Sequence, residues 1–113
     1  MTPSETVLAA GGGPDDVAAA DGRRITLRRL NALDRLRLFK AAGPVLAHNQ
    51  PWLGMAALAW CVTAIDGVPV PVPGNEVQIE ALIGRLGDVG IDAVAAALDA
   101  EIDRTEALAN AGN

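Results

Sequence analysis

Six residues from Val68 to Pro73 alternate Val and Pro, and this repeat limits the possible folds more than any other segment. Each proline fixes φ at about −65°, lacks an amide donor and disfavours the helical conformation in the residue before it. No helix can therefore pass through residues 68–73. The segment can pair only through its Val residues along one edge, for example with residues 25–27, or remain a polyproline-like connector.

The size and composition predict one small intracellular domain. The chain has 113 residues, half of them apolar, but only Trp52, Trp60 and Phe39 are aromatic. One modest core of Leu, Ile, Val and Ala is therefore expected. The single cysteine, Cys61, excludes an intramolecular disulfide and a Cys-rich zinc site, which fits a reducing cytoplasm. The first residues lack the cationic start and apolar run of a secretory signal, so no export is expected.

Capping residues and apolar spacing predict about four helices, over residues 32–42, 50–65, 76–86 and 89–104. Asn31 and Asn49 are suited to cap the first two, and Gly43-Pro44 is suited to end the first. The third helix is the most regular, because a capping box at Asn75 precedes a stripe at i, i+3, i+4 and i+7 in which Leu82 should be fully buried. Gly87 separates the third helix from the fourth.

These elements predict a mainly α fold, with the four helices packed as a small bundle beside a short two-stranded β element. Ile25 and Leu27 alternate with polar residues, which indicates a short strand. Residues 1–21 should form a flexible N-terminal tail, residues 22–105 a single helical domain and residues 106–113 a frayed end. The predicted core consists of Ile25, Leu27, Leu36, Trp52, Met55, Ile79, Leu82, Ile83, Leu86, Val94 and Leu98.

The segment 50–65 contains no charged residue, yet it is shorter than the ~20 apolar residues of a membrane span and rich in alanine. A buried helix is therefore predicted, with no membrane partner. Its small residues Gly54, Ala57, Cys61 and Ala64 form a groove on one side, where another helix can approach closely.

The charges are segregated along the chain. The net charge is −5, yet seven of the nine cations lie between Arg23 and Lys40. Nucleic acid is an unlikely partner for an acidic chain with no aromatics among its arginines. Two interpretations of the basic segment remain: a solvated flank that covers apolar surface, or a surface for acidic protein segments. The predicted protein-binding residues are Arg28, Arg29, Arg35 and Arg37, with Leu38 as an exposed apolar contact because it points away from Ala32, Leu33, Leu36 and Phe39.

The sequence offers little for catalysis or for cofactor and metal binding. It has one His, one Cys, one Ser and no Tyr, and Ser4 lies in the predicted tail while His48 lies between helices. We therefore predict a non-enzymatic protein with no cofactor. The acidic residues Asp92, Asp99 and Asp103 favour a solvated face, with a divalent cation or an arginine-rich surface as alternatives.

Four segments in order resemble the small tail assembly chaperones of long-tailed bacteriophages and prophages. These segments are RRITLRRLNALDRLRLFKAAG, WLGMAALAW, VTAIDGVPVPVP and NEVQIEALIGRLGDVGIDAVAAAL, and the stretch from Arg23 to Leu98 that contains them covers about two-thirds of the chain. The resemblance implies a cytoplasmic protein of the bacterial host cell that binds the tape-measure protein during tail morphogenesis and brings it to tail-tube subunits. It also implies that the chaperone is absent from the finished virion.

Two other functions fit the same features. One is a structural tail-completion or head–tail connector protein that stays in the virion. The other is a small regulatory or antitoxin-like module, because residues 75–104 superficially resemble a helix-turn-helix. The acidic residues of the last helix argue against that module binding DNA, since a phosphate backbone repels them.

Overall fold

The computed structural model of the chain describes residues 15–111, with side chains through residue 103. Over this range the chain forms three helices and a four-stranded antiparallel sheet with the strand order β1-β2-β3-β4. Helices α1 and α2 connect β2 to β3, and α3 follows β4. The elements are β1 (Asp16–Ala18), β2 (Arg24–Leu27), α1 (Ala32–Leu46), α2 (Gln50–Trp60), β3 (Val62–Ile65), β4 (Val68–Pro69) and α3 (Glu76–Ala111).

The prediction of a mainly α bundle with four helices and a two-stranded element is wrong, because the fold is α+β. Helix α2 ends at Trp60, and the last residues of the predicted helix 50–65 form β3 instead. Strand β3 is central and pairs with both β2 and β4. Val62, Thr63 and Ile65 are β-branched, and such side chains fit a pleated sheet better than a helix.

The turn between β3 and β4 is a tight two-residue hairpin loop. Asp66 and Gly67 both have positive φ, at 51° and 79°, and Ile65 pairs directly with Val68 across them. Asp-Gly is favoured in such loops because glycine and aspartate tolerate the left-handed conformation. The start of the Val-Pro repeat is thus an edge strand, and it pairs with β3 and not with residues 25–27.

The predicted domain limits also need correction at both ends. Residues 1–14 of the predicted tail lie outside the described residues, but Asp16–Ala18 form β1 and pair with β2. At the other end α3 continues as a helix to Ala111, through most of the segment predicted to fray. The ordered domain therefore begins before residue 22 and extends past residue 105.

The predicted helix starts are confirmed, and the predicted helix breaks appear as kinks. Asn31 accepts a hydrogen bond from the Asp34 amide at 2.8 Å, while the Asp34 carboxylate accepts one from the Asn31 amide at 3.0 Å. Asn49 caps α2 through its side chain alone, which accepts a hydrogen bond from the Trp52 amide at 3.1 Å. Gly43 and Gly87 have non-helical backbone angles inside α1 and α3, so the two predicted helices 76–86 and 89–104 belong to one kinked helix.

The core lies between one face of the sheet and α3, and it continues between α1, α2 and the start of α3. Of the predicted core, Leu36 and Met55 are exposed, which contradicts the prediction. Trp52, Ile83 and Leu98 are partly buried. The predicted burial is confirmed for Ile25, Leu27, Ile79, Leu82, Leu86 and Val94.

Arg23 fastens the sheet to the kink in α3. Its Nη1 donates to the Arg85 carbonyl at 3.0 Å and its Nη2 to the Leu86 carbonyl at 2.6 Å. These two carbonyls directly precede Gly87, whose backbone is non-helical, so the guanidinium donates to the helix at the point where its regular backbone pattern is interrupted. Asp21 holds the same guanidinium through Nε at 2.8 Å.

Replacing Arg23 with Met should therefore lower the free energy of unfolding by about 1 to 3 kcal/mol, because the aliphatic stem is kept while the donors to two carbonyls are lost. Arg37→Met is the matched control, since the Arg37 side chain is exposed and makes no hydrogen bond within residues 15–103. Urea unfolding followed by circular dichroism measures both variants. Equal stability of the two would show that the contact at the kink contributes nothing.

Candidate protein-binding surface

Two of the four predicted binding arginines make contacts within the fold. Arg28, at the end of β2, pairs with Asp34 at 3.2 Å and approaches the Trp60 carbonyl at 3.4 Å, so it joins the start of α1 to the end of α2. Arg29 donates through Nε to Glu101 at 2.7 Å and forms a second contact to the same carboxylate, which joins β2 to the distal part of α3.

The other two predicted arginines project from α1. The side chains of Arg35 and Arg37 are exposed and make no hydrogen bond or salt bridge within residues 15–103, and the same is true of the Lys40 side chain. Arg37 is still close enough to Asp34 to contribute to the depressed pKa of that carboxyl, although the main cause is the hydrogen bond from the Asn31 amide. The cations of α1 are therefore available to a partner.

Leu38 lies on the opposite side of α1 from the predicted one. It is only 3% exposed and packs with Ala42, Leu53 and Trp60, so the prediction that Leu38 is an exposed apolar contact is wrong. The close approach of α1 to α2 explains this orientation. Small side chains such as Ala42 and Ala56 allow α1 and α2 to pack tightly. Ala42 lies on the same side of α1 as Leu38, so this side faces α2.

The larger apolar stripe of α1 faces solvent instead. Leu33 is 51% exposed, Leu36 is 64% exposed and Phe39 is 46% exposed. At 100° per residue these three side chains share an arc with Lys40 and are bordered by Arg35 and Arg37. We call these six residues, three apolar and three cationic, the α1 face. Scattered exposed leucines are ordinary, but a continuous apolar stripe edged by charge is typical of an interaction surface.

A shallow groove of about 430 Å³ runs between α1 and α2 beside this face. Arg35 and Phe39 form one wall, and Gly54 and Ala57 form part of the other. A Cβ built on Gly54 would have no neighbour within 4 Å, so this position is an open notch in the surface. Two members of the predicted small-residue groove thus line a real groove, while Cys61 is buried and Ala64 lies in β3.

The sequence candidates for chemistry are not brought together. His48 is exposed in the connection between α1 and α2, and Ser4 is outside the described residues. Cys61 is buried at the end of α2, and burial raises the pKa of its thiol, which lowers the thiolate fraction at neutral pH. Residues 15–103 contain no group of three or more His, Cys, Asp or Glu placed to hold a metal ion.

The acidic residues of α3 form a second exposed surface. Asp88, Asp92, Asp99 and Asp103 are separated by four, seven and four residues, so they project from one side of the helix. None of the four carboxylates forms a hydrogen bond or salt bridge with another residue in the range 15–103. We call this set the acidic face of α3.

Among the described residues, no helix combines the length and the apolar character that a membrane span requires. Comparisons of the chain with protein-family models, curated protein sequences and solved structures gave no match. The assignment of a function therefore depends on the surfaces of this chain.

Proposed function

We propose that this protein is a non-enzymatic assembly chaperone, as its resemblance to phage tail assembly chaperones implies. It binds helical, aggregation-prone segments of a tape-measure protein in the cytoplasm of the bacterial host and brings them to tail-tube subunits. The observation that carries the proposal is the α1 face, where three large apolar side chains stay in solvent although the domain has a well-formed core. Such a stripe favours a protein partner over a purely structural role for the helix.

The two kinds of residue on the α1 face have different parts in this proposal. Leu33, Leu36 and Phe39 cover apolar side chains of the partner that would otherwise aggregate. Arg35 and Arg37 guide the encounter and set the register, because exposed charges affect association rates and specificity more than affinity. Arg28 and Arg29 contribute less, since Asp34 and Glu101 already occupy their guanidinium groups.

Co-expression with a candidate tape-measure protein tests the proposal. The double variant Leu36→Ser/Phe39→Ser should lose most of the soluble partner, while keeping its own helical circular dichroism signal because both side chains lie outside the core. Val45→Ser is the matched control, since Val45 is 81% exposed but lies beyond the Gly43 kink and outside the α1 face. Soluble partner is measured on gels, and the complex is measured on a sizing column.

Three results would contradict the proposal at different points. If wild type and the double variant keep the same amount of partner soluble, the α1 face is not the binding surface. If wild type forms no complex with the partner, the chaperone function is excluded. Detection of the chain in purified, washed virions would instead indicate a structural tail or connector protein.

A further inference from the structure

The α1 face and the acidic face of α3 are complementary in charge and belong to the same chain. The first presents Arg35, Arg37 and Lys40, and the second presents four aspartates. Arg29 pairs with Glu101 of α3, and neither of these residues belongs to the two faces. Within residues 15–103, both faces therefore remain open in one copy.

Both faces also carry apolar surface. Ile102 is 55% exposed and lies on one flank of the acidic face, and Ala96 and Ala100 are exposed on the other flank. These small side chains make a smooth strip on which Leu36 and Phe39 of another molecule can pack. Asp99 and Asp103 are one helical turn apart, a spacing close to that of Arg37 and Lys40 on α1.

We infer that the α1 face of one copy binds the acidic face of α3 in a second copy, which gives a head-to-tail self-association. The contact is heterologous, because two different surfaces meet, so it produces either a closed ring or an open chain. A symmetric dimer through two α1 faces is disfavoured, since it would place the cations of both copies against each other. The inference goes beyond the proposed function and does not depend on it.

Self-association of this kind competes with client binding. The same α1 face cannot bind a second copy and a tape-measure segment together, so the two complexes are mutually exclusive. In the absence of a client, self-association covers Leu33, Leu36 and Phe39, which would otherwise be open to nonspecific contacts. A client then has to displace a weak contact held largely by exposed charges.

Sedimentation equilibrium and light scattering of the full chain test the self-association. Wild type should show an average mass that rises above 11.6 kDa with concentration at low salt and returns toward it when salt is raised. Two neutralising variants each weaken one face: Arg35→Gln/Arg37→Gln/Lys40→Gln removes the three cations of the α1 face, and Asp99→Asn/Asp103→Asn removes two of the four carboxylates of the acidic face. Each alone should self-associate about tenfold or more weakly.

Mixing the two variants tests directly whether the two different faces bind each other. Each retains one intact face, so the mixture should form a 1:1 complex that cannot grow further, with twice the monomer mass. Glu76→Gln is the matched control, because it removes an exposed carboxylate outside the acidic face and should leave self-association unchanged. Circular dichroism checks that each variant is folded, and the salt dependence of wild type tests the contact without any substitution.

Several outcomes would overturn the inference. One is a wild type that stays monomeric at all concentrations at low salt, and another is a mixture that forms no complex. A third is self-association that neither variant weakens. Binding of anionic vesicles or of nucleic acid by a monomeric wild type, lost in the triple variant, would assign the α1 face to that ligand instead.

Discussion

Replacing Leu86 with Ala should lower the free energy of unfolding by about 2 to 5 kcal/mol. The Leu86 side chain is fully buried between α3 and the sheet, directly before the Gly87 kink, so its removal leaves a cavity that the neighbouring elements cannot easily fill. A small domain has a total stability of about 5 to 15 kcal/mol, so this single change takes a large part of it.

Val77→Ala is the control for this experiment. Val77 lies in the first turns of the same helix but is 74% exposed, so its truncation should change stability by less than about 0.5 kcal/mol. Urea denaturation at two wavelengths measures both variants and tests whether unfolding is two-state. A Leu86→Ala protein as stable as Val77→Ala would mean that α3 does not pack on the sheet as described.

The parts of the fold that depend on local signals were predictable from the sequence. The caps at Asn31, Asn49 and Asn75 act within a few residues, and the stripe that contains Leu82 and Leu86 repeats often enough to define a buried face. The breaks at Gly43 and Gly87 follow from the conformational freedom of glycine and, at Gly43, from the proline that follows it.

The sheet was not predictable in the same way. Only β2 is indicated by an alternation, that of Ile25 and Leu27 with polar residues, whereas the other three strands are two to four residues long and show no clear alternation. Strand β3 begins two residues after the apolar helix α2 ends, and its own residues are also apolar or uncharged. The sequence pattern therefore places them in the predicted helix 50–65. The Asp66-Gly67 pair between apolar residues is a local signal for a β3–β4 hairpin.

For the candidate surface, the sequence predicts the exposed arginines of α1 but not which apolar side chains of α1 are exposed. The concentration of cations in residues 23–40 predicts a basic surface that includes α1, and in the structure Arg35 and Arg37 are exposed on that helix. A helical wheel could not decide which side of α1 packs, because apolar residues lie on both sides. The predicted core includes Leu36 from the wider stripe, whereas in the structure the narrower side with Leu38 and Ala42 makes the close contact with α2.

A second prediction tests this orientation of α1 directly. Leu38→Ala should lower the free energy of unfolding by about 2 to 5 kcal/mol, because the side chain is buried against Leu53 and Trp60. Leu36→Ala should change it by less than about 0.5 kcal/mol, because Leu36 is exposed. Both substitutions replace Leu with Ala in the same helix, so the change in helix propensity is the same in both variants. The difference between their free energies of unfolding therefore reports the difference in burial.

Thermal and urea unfolding of the two variants give the difference, and partner solubilisation or self-association gives a second readout. Leu36→Ala should keep its stability but weaken both kinds of complex, whereas Leu38→Ala should lose stability first. If Leu36→Ala is the more destabilised protein, α1 packs through the stripe of Leu33, Leu36 and Phe39. That stripe would then belong to the core, and neither the chaperone surface nor the head-to-tail contact would remain on this face of α1.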